Sequence, residues 1–125
     1  PSADYIVCPE KGQFPQGAEF YGTLLHEMAH STGSPQRLNR TFSNFFGDAL
    51  YAREELVAEL TSALCGAFFG YAAAPQDNNA AYLKHWLTKL KEEPAFLVVI
   101  LGDVNKAAKM IAERVTEPIN EPAAA

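Results

Sequence analysis

Two histidines four residues apart, with a glutamate directly after the first, stand in the segment His26-Glu27-Met28-Ala29-His30. On an α-helix of about 3.6 residues per turn, positions four apart share a face, so both imidazoles can reach one metal ion. Glu27 projects to the side of that pair, where it can take a proton from a metal-bound water without being a ligand. The H-E-x-x-H spacing therefore predicts a zinc site with His26 and His30 as ligands and Glu27 as the general base.

The residues around this segment favour a helix that ends just beyond the second histidine. Apolar side chains recur at helical spacing, at Phe20, Leu24, Leu25, Met28 and Ala29. Gly33 follows the histidine pair closely and Pro35 comes two residues later, which is a common stop signal for a helix. We therefore predict a helix over 18–32, with the histidine pair in its last turns beside a buried stripe.

A hydrolytic zinc site needs a third protein ligand, and a second helical segment supplies candidates. Glu55 and Glu59 are four residues apart, next to an apolar face predicted at Leu56, Leu60, Leu64, Ala67 and Phe68. Carboxylates beside an apolar stripe usually pair with a cation or a metal. With the histidine pair, this pattern predicts Glu55 as the third ligand and Glu59 as the acceptor of a ligand histidine N–H.

Alternative roles are open for four further residues: Glu54, Arg53, Tyr51 and Tyr21. Glu54 points about 100° away from Glu55 and is expected in solvent. In the alternative interpretation all three glutamates face solvent, with Arg53 balancing their charge. An oxyanion formed during hydrolysis needs a donor in addition to the metal; Tyr51, one turn before Glu55, and Tyr21 are candidates, although each is more often a packing aromatic.

The remaining histidine and both cysteines are not expected to be ligands. His85 stands between Lys84 and Trp86 on an amphipathic segment, which is typical of a surface or half-buried histidine. Cys8 and Cys65 have no C-x-x-C spacing and are expected to be small buried residues. The predicted zinc site therefore relies on the two helical segments alone.

The pattern as a whole predicts a mostly α domain of the α+β class, with about four helices and a short N-terminal strand. β-rich residues favour a strand over 4–8, whose edge could pair with an extended substrate. Asp48 is a suitable N-cap for a second helix that ends near Phe69.

The C-terminal half is predicted to add two more helices. A loop over 72–79 precedes a third helix over 80–92, and Pro94 opens a fourth helix that runs to about Val115. Gly102 interrupts the apolar run of that fourth helix. We expect residues 1–117 to form one domain and residues 118–125 a flexible tail.

The composition favours a globular domain and argues against several classes of partner. Of 125 residues, 48% are hydrophobic, which is enough for one core. The formal net charge is −5, without a basic stripe, so DNA binding is not expected from this domain alone. No apolar run is long enough for a bilayer, so no membrane contact is expected. Two cysteines outside any disulfide framework favour a reducing, cytoplasmic location.

Several segments together resemble the zincin-like metallopeptidase domain of ArdC-type and TraC-type antirestriction proteins. The resemblance runs over about residues 4–110. It is carried by the segments 5–9, 20–33, 37–40, 46–47, 51–59 and 86–87, and by Phe14, Tyr82 and Leu90. The order of H-E-x-x-H followed by Glu55 also resembles the gluzincin metallopeptidases. The resemblance implies a zincin-like domain of plasmids and other mobile elements, forming the C-terminal part of a larger protein whose absent N-terminal domain is implicated in binding single-stranded DNA.

Two functions follow from these observations. The first is a zinc-dependent metallopeptidase of an antirestriction-type protein, which hydrolyses a peptide or protein substrate with a zinc-activated water. The alternative is a non-catalytic, zinc-stabilised module of an antirestriction or single-strand-binding protein, acting by association. Glu27 favours the enzyme, because no ligand role requires a glutamate at that position.

Overall fold

The fold is mostly helical in the part of the chain that a computed structural model describes, residues 4–14, 17–41, 49–70, 84–86, 88 and 91–116. Its long helices are α1 (Gly17–Ser31), α2 (Ala49–Phe69) and α3 (Ala95–Thr116), and a 3₁₀ turn at Lys11–Gln13 precedes α1. Residues 84–86, 88 and 91–92 are also helical, at the place of the predicted third helix. The predicted helical architecture is thus confirmed.

Some predictions lie outside the described residues. They are the N-cap at Asp48, the loop over 72–79 and the tail over 118–125. None of the described helices is both long enough and apolar enough to span a membrane.

Helix α2 lies between the other two long helices and contacts both. Towards α3, Val57 packs with Ile100 and Val104, and Trp86 closes the same cluster. Towards α1, the fully buried Ala29 and Ala58 belong to a second cluster, whose other buried members are Leu25, Cys65, Ala108 and Ile111. Because the distance between packed helices depends on the side chains at their contact, two alanines let α1 and α2 approach closely.

The predicted strand over 4–8 is not found, since these residues form no strand in the structure. A strand needs a hydrogen-bonded neighbour, and no other strand exists among the described residues to provide one. Asp4 is instead tied to the end of α1 by Arg37, whose guanidinium donates to both Asp4 oxygens at 2.6 and 3.0 Å and to the Ser31 carbonyl at 2.7 Å. The predicted strand edge for a substrate is therefore absent from the described part of the chain.

The apolar face predicted for α2 is only partly correct. Leu56 is buried, whereas Leu64 is 46% and Phe68 66% exposed. The face that α2 turns towards α1 carries Glu55 and Glu59, both buried. Apolar spacing cannot predict such a face, because its carboxylates are buried through pairing rather than through hydrophobicity.

Two glycines differ from their predicted roles. Gly102 does not interrupt α3, which runs through it, and a Cβ there would meet nothing within 4 Å. Gly33 follows α1 as predicted, but it is not among the glycines with positive φ. Among the described residues a positive φ is found at Gly70, 84°, after α2, and at Asn39, 50°. Gly33 is therefore required for space rather than for backbone conformation, because a Cβ there would lie 2.9–3.2 Å from the Arg40 guanidinium.

Two substitutions compare the buried side of α3 with its exposed side. Val104→Ala removes buried carbon worth about 0.8 kcal/mol per methylene and leaves a cavity, so we expect a loss of about 2–3 kcal/mol in the free energy of unfolding. Val99→Ala, on the exposed side of α3, should change it by less than about 0.5 kcal/mol. Urea unfolding of both variants measures this, and equal losses would contradict the α2–α3 packing described here.

Candidate metal centre

The two histidines of α1 turn their Nε2 atoms towards each other. Their four-residue spacing places them on one face of the helix, and the Nε2 atoms of His26 and His30 lie 3.0 Å apart. The rings meet nearly edge to face, with centroids 4.7 Å apart and planes at 79°. The lone pairs needed for coordination therefore converge on one point beside the helix.

Glu55 of α2 completes this convergence. Its Oε2 lies 3.3 Å from His26 Nε2, and its Oε1 lies 3.1 Å from His30 Nε2. In a tetrahedral zinc site, bonds of about 2.0–2.2 Å separate neighbouring ligand atoms by about 3.3–3.6 Å. The observed separations of 3.0–3.3 Å lie at or just below this range. The three side chains have the chemistry to bind a small divalent cation, and they are the metal-ligand group found among the described residues.

The outer nitrogen of each histidine also faces a carboxylate. Glu59 Oε1 lies 3.0 Å from His26 Nδ1, at ion-pair distance although not aligned as a hydrogen bond. Glu54 Oε1 lies 3.3 Å from His30 Nδ1. A carboxylate on Nδ1 favours the tautomer with its proton there, which leaves Nε2 free to bind metal.

Glu54 is the clearest error of the sequence prediction. It is buried rather than in solvent, and it pairs with the equally buried Arg40 at 2.7 Å. The alternative in which all three glutamates face solvent is wrong as well, and Arg53 pairs with Asp103 of α3 at 2.6 Å instead. Only tertiary packing brings Arg40 to Glu54, so the ion pair cannot be predicted from the helical spacing around Glu54.

The buried charges of this centre do not balance by themselves. Among the described residues of the centre, with both imidazoles neutral, Glu54, Glu55 and Glu59 carry three negative charges and Arg40 carries one positive charge, which leaves two negative charges. Isolated buried charge is strongly unfavourable. Two protons on the imidazoles or one divalent cation would be alternative ways to neutralise the centre.

The ionisation of the histidines follows from this surplus. Burial alone lowers the pKa of His26, but the carboxylates of Glu55 and Glu59 outweigh it and raise the pKa to about 9. Burial likewise opposes the positive charge of His30, while Glu54 and Glu55 raise its pKa to about 9. Burial raises the pKa of Glu55, yet the two histidines bring it down to about 2. Cation binding therefore competes with protonation of the imidazoles.

The predicted catalytic side chains lie beside the centre in sequence and differ in their contacts. Glu27 is half-buried, and its carboxylate has no hydrogen bond or ion pair with any other described residue. Tyr51 is half-buried on α2, one turn before Glu55. The Tyr21 hydroxyl accepts a hydrogen bond from Lys11 Nζ at 3.0 Å, so it is already engaged at the surface. The roles of these residues remain predictions.

His85, Cys8 and Cys65 were not expected to bind the metal, and none of them belongs to the candidate metal-ligand group. His85 is exposed, and Cys65 is buried in the α1–α2–α3 core, where burial raises the pKa of its thiol. Cys8 is only half-buried rather than buried as expected, and both cysteines are free.

The family of the chain is clear from comparison with known proteins. Residues 1–100 match the family described as zincin-like metallopeptidase. Since this match covers most of the chain, the chain belongs to that family, and the family expected from the sequence is confirmed.

Individual relatives are longer proteins. A DNA primase TraC of Escherichia coli is 39% identical over 131 residues, which cover 98% of this chain and 12% of TraC. The uncharacterized protein y4eC of Sinorhizobium fredii is 37% identical over 93 residues, covering 74% of this chain and 30% of y4eC. This chain therefore corresponds to a minor part of each of these two proteins.

The fold has a close counterpart among solved structures. The Mn(II)-bound crystal structure of the antirestriction protein ArdC from plasmid R388 superposes with a TM-score of 0.78 at 35% identity, covering 90% of this chain and 42% of ArdC. The metal-free structure of ArdC gives a TM-score of 0.75. Both confirm the fold.

Metal binding tests the candidate ligands. We expect His26→Ala and Glu55→Ala to lose zinc or bind it far more weakly, because each removes one of three converging donors. His85→Ala, which removes an exposed histidine, is the matched control and should bind as the unsubstituted chain does. Titration calorimetry with elemental analysis measures this. Full occupancy in Glu55→Ala would transfer the ligand role to Glu54 or Glu59.

Glu59→Ala should weaken zinc binding on the order of 10- to 100-fold without abolishing it. The reason is that Glu59 contacts the outer nitrogen of His26 rather than the cation position. A competition titration with a chelator of known affinity gives the change. Unaltered affinity would mean that Glu59 does not support His26.

Proposed function

We propose that this chain is a zinc metallopeptidase domain of an antirestriction-type mobile-element protein, and that it hydrolyses peptide bonds with a zinc-activated water. The observation that carries the proposal is the convergence of His26, His30 and Glu55. The Glu27 carboxylate, which pairs with no other described residue, comes directly after the first of these ligands. A purely structural cation site would have no use for such a glutamate, whereas a hydrolytic site needs it as a base.

Zinc is the cation proposed for this site. Two imidazoles and one carboxylate are a ligand set typical of catalytic zinc, while manganese prefers oxygen ligands. The existence of a Mn(II)-bound structure of the related ArdC supports the binding of a divalent cation. For a given set of nitrogen and oxygen ligands zinc binds more tightly than manganese, so zinc should displace manganese from this chain.

In the proposed reaction, His26, His30 and Glu55 would hold the cation. Zinc, when bound, lowers the pKa of a water molecule towards neutrality and polarises the scissile carbonyl. Glu27 takes a proton from the attacking water as its oxygen bonds to the carbonyl carbon. When the carbon–nitrogen bond breaks, Glu27 delivers that proton to the leaving amine. Tyr51 is the proposed donor to the oxyanion, on the strength of its place one turn before Glu55.

The alternative function is a non-catalytic module that acts by association. The names of the relatives favour it, since an antirestriction protein and a DNA primase are not named for peptide hydrolysis. One form of this alternative is direct DNA binding by the domain. The net charge of −5 argues against it, because DNA is itself negatively charged. Any DNA contact is better assigned to other parts of the longer proteins, of which the chain matches 12% in TraC and 42% in ArdC.

Glu27→Gln separates the two functions. We expect this variant to bind zinc as the unsubstituted chain does, yet to lose peptide hydrolysis by on the order of 10²–10⁴-fold, because proton transfer is lost while the ligands stay in place. Glu19→Gln makes the same change at an exposed position of α1 and should leave the rate unaltered.

The assay compares zinc-loaded proteins on unfolded casein and a broad panel of other unfolded proteins, with fragments identified by mass spectrometry. Equal hydrolysis by the Glu27→Gln variant would exclude the proposed base. Zinc binding without hydrolysis of any substrate, also when the chain is joined to the remainder of a longer relative, would favour the non-catalytic module.

A further inference from the structure

The two histidines of the centre are held to different degrees. The side chain of His26 is 5% exposed, whereas that of His30 is 25% exposed. Packing therefore fixes the ring of His26 more firmly than the ring of His30. The direction of His30 depends correspondingly more on the partner of its outer nitrogen, which is Glu54.

Glu54 is itself held by a buried arginine. Arg40 donates from Nε to Glu54 Oε2 at 3.0 Å and from Nη2 to Glu54 Oε1 at 2.7 Å, and the Arg40 side chain is only 4% exposed. Such a two-point contact between guanidinium and carboxylate fixes the plane of the carboxylate as well as its position. Glu54 is thereby kept as a hydrogen-bond acceptor for His30 and cannot easily turn towards the cation position.

Arg40 also ties this contact to the end of α1. Its Nη1 donates to Thr32 Oγ1 at 2.8 Å, and its Nη2 donates to the carbonyl of Ala29, also at 2.8 Å. Ala29 directly precedes His30, so the guanidinium bridges the backbone beside one ligand and the carboxylate that contacts that ligand. The bridge spans α1 and α2, which carry the three proposed ligands.

The loop after α1 is built to bring Arg40 to this place. The backbone N–H of Arg40 donates to the Gly33 carbonyl at 3.0 Å, which folds the loop back against the helix end. A Cβ at Gly33 would lie 2.9–3.2 Å from three atoms of the Arg40 guanidinium. A side chain at position 33 would therefore collide with the Arg40 guanidinium, and glycine avoids this contact.

We propose that Arg40 and Glu54 are positioning residues for His30. Arg40 holds the Glu54 carboxylate, and Glu54 accepts the Nδ1–H of His30, which directs Nε2 at the cation. This inference rests on the proposed cation site and deepens it. A purely structural ion pair between helices would stabilise the fold equally but would not alter the affinity for the cation.

Zinc affinity measured beside fold stability separates these two roles. Glu54→Gln keeps the shape of the side chain but removes its charge, and we expect the Kd for zinc to rise on the order of 10- to 100-fold. Arg40→Lys keeps the positive charge but not the two-point contact, so it should shift the Kd in the same direction by less. Asp103→Asn breaks the Arg53–Asp103 pair between α2 and α3 and serves as the control, with an unaltered Kd.

A spectroscopic readout reports the ring directly. In the zinc-loaded protein the Nδ1–H proton of His30 should resonate far downfield, because it is hydrogen-bonded to a carboxylate. Glu54→Gln should move this resonance upfield, while Asp103→Asn should leave it in place. Zinc-loaded samples labelled with ¹⁵N at histidine make the resonance assignable.

Each outcome bears on one claim. If Glu54→Gln and Arg40→Lys unfold more readily but bind zinc as the unsubstituted chain does, with the His30 resonance unmoved, the positioning role is overturned and the cation site stands. If the unsubstituted chain binds no zinc, the cation site itself fails. Should Glu54→Gln not fold, Arg40→Lys and Gly33→Ala decide by the same affinity criterion, since the added Cβ displaces the guanidinium.

Discussion

The structure depends on burying three carboxylates against two imidazoles where α1 meets α2. Both helices repeat these groups every turn, so His26 and His30 on α1 meet Glu55 and Glu59 on α2 in a single register. A shift of either helix by one residue would leave buried charge without a partner, which costs far more than a lost apolar contact. The requirement for a counter-charge therefore sets how the helices pack as well as what the site can bind.

The apolar parts of the fold serve this constraint. Ala29 and Ala58 allow the close approach of α1 and α2 that carboxylate–imidazole contacts need. Towards α3, Val57 of α2 packs against Ile100 and Val104. These contacts fix the position of the helix that carries Glu54, Glu55 and Glu59. Apolar side chains thus pack on both sides of α2, and the charged centre lies beside the cluster that α2 shares with α1.

The sequence predicted those features that local spacing determines. Four-residue spacing alone places His26 beside His30 and Glu55 beside Glu59. The predicted ends of α1 and α2 lie within about a residue of the observed ends. The sequence could not predict the ion pair between Glu54 and Arg40, because only the tertiary packing brings the loop after α1 against α2. Without a visible partner, an acidic residue such as Glu54 is expected in solvent rather than buried. The strand over 4–8 failed for a related reason: β-rich residues indicate a tendency, but a strand exists only with a neighbour to pair with.

The relatives of this chain are named for antirestriction and DNA priming, and its family is described as zincin-like metallopeptidase. The proposed function depends on one physical condition, that α1 and α2 bind a single divalent cation between them. Crystals grown with zinc, with diffraction recorded on both sides of the zinc absorption edge, locate the ion directly. We predict one anomalous peak about 2.0–2.2 Å from His26 Nε2, His30 Nε2 and a carboxylate oxygen of Glu55. A peak at other side chains, or no peak between α1 and α2 in zinc-saturated crystals, would contradict that claim.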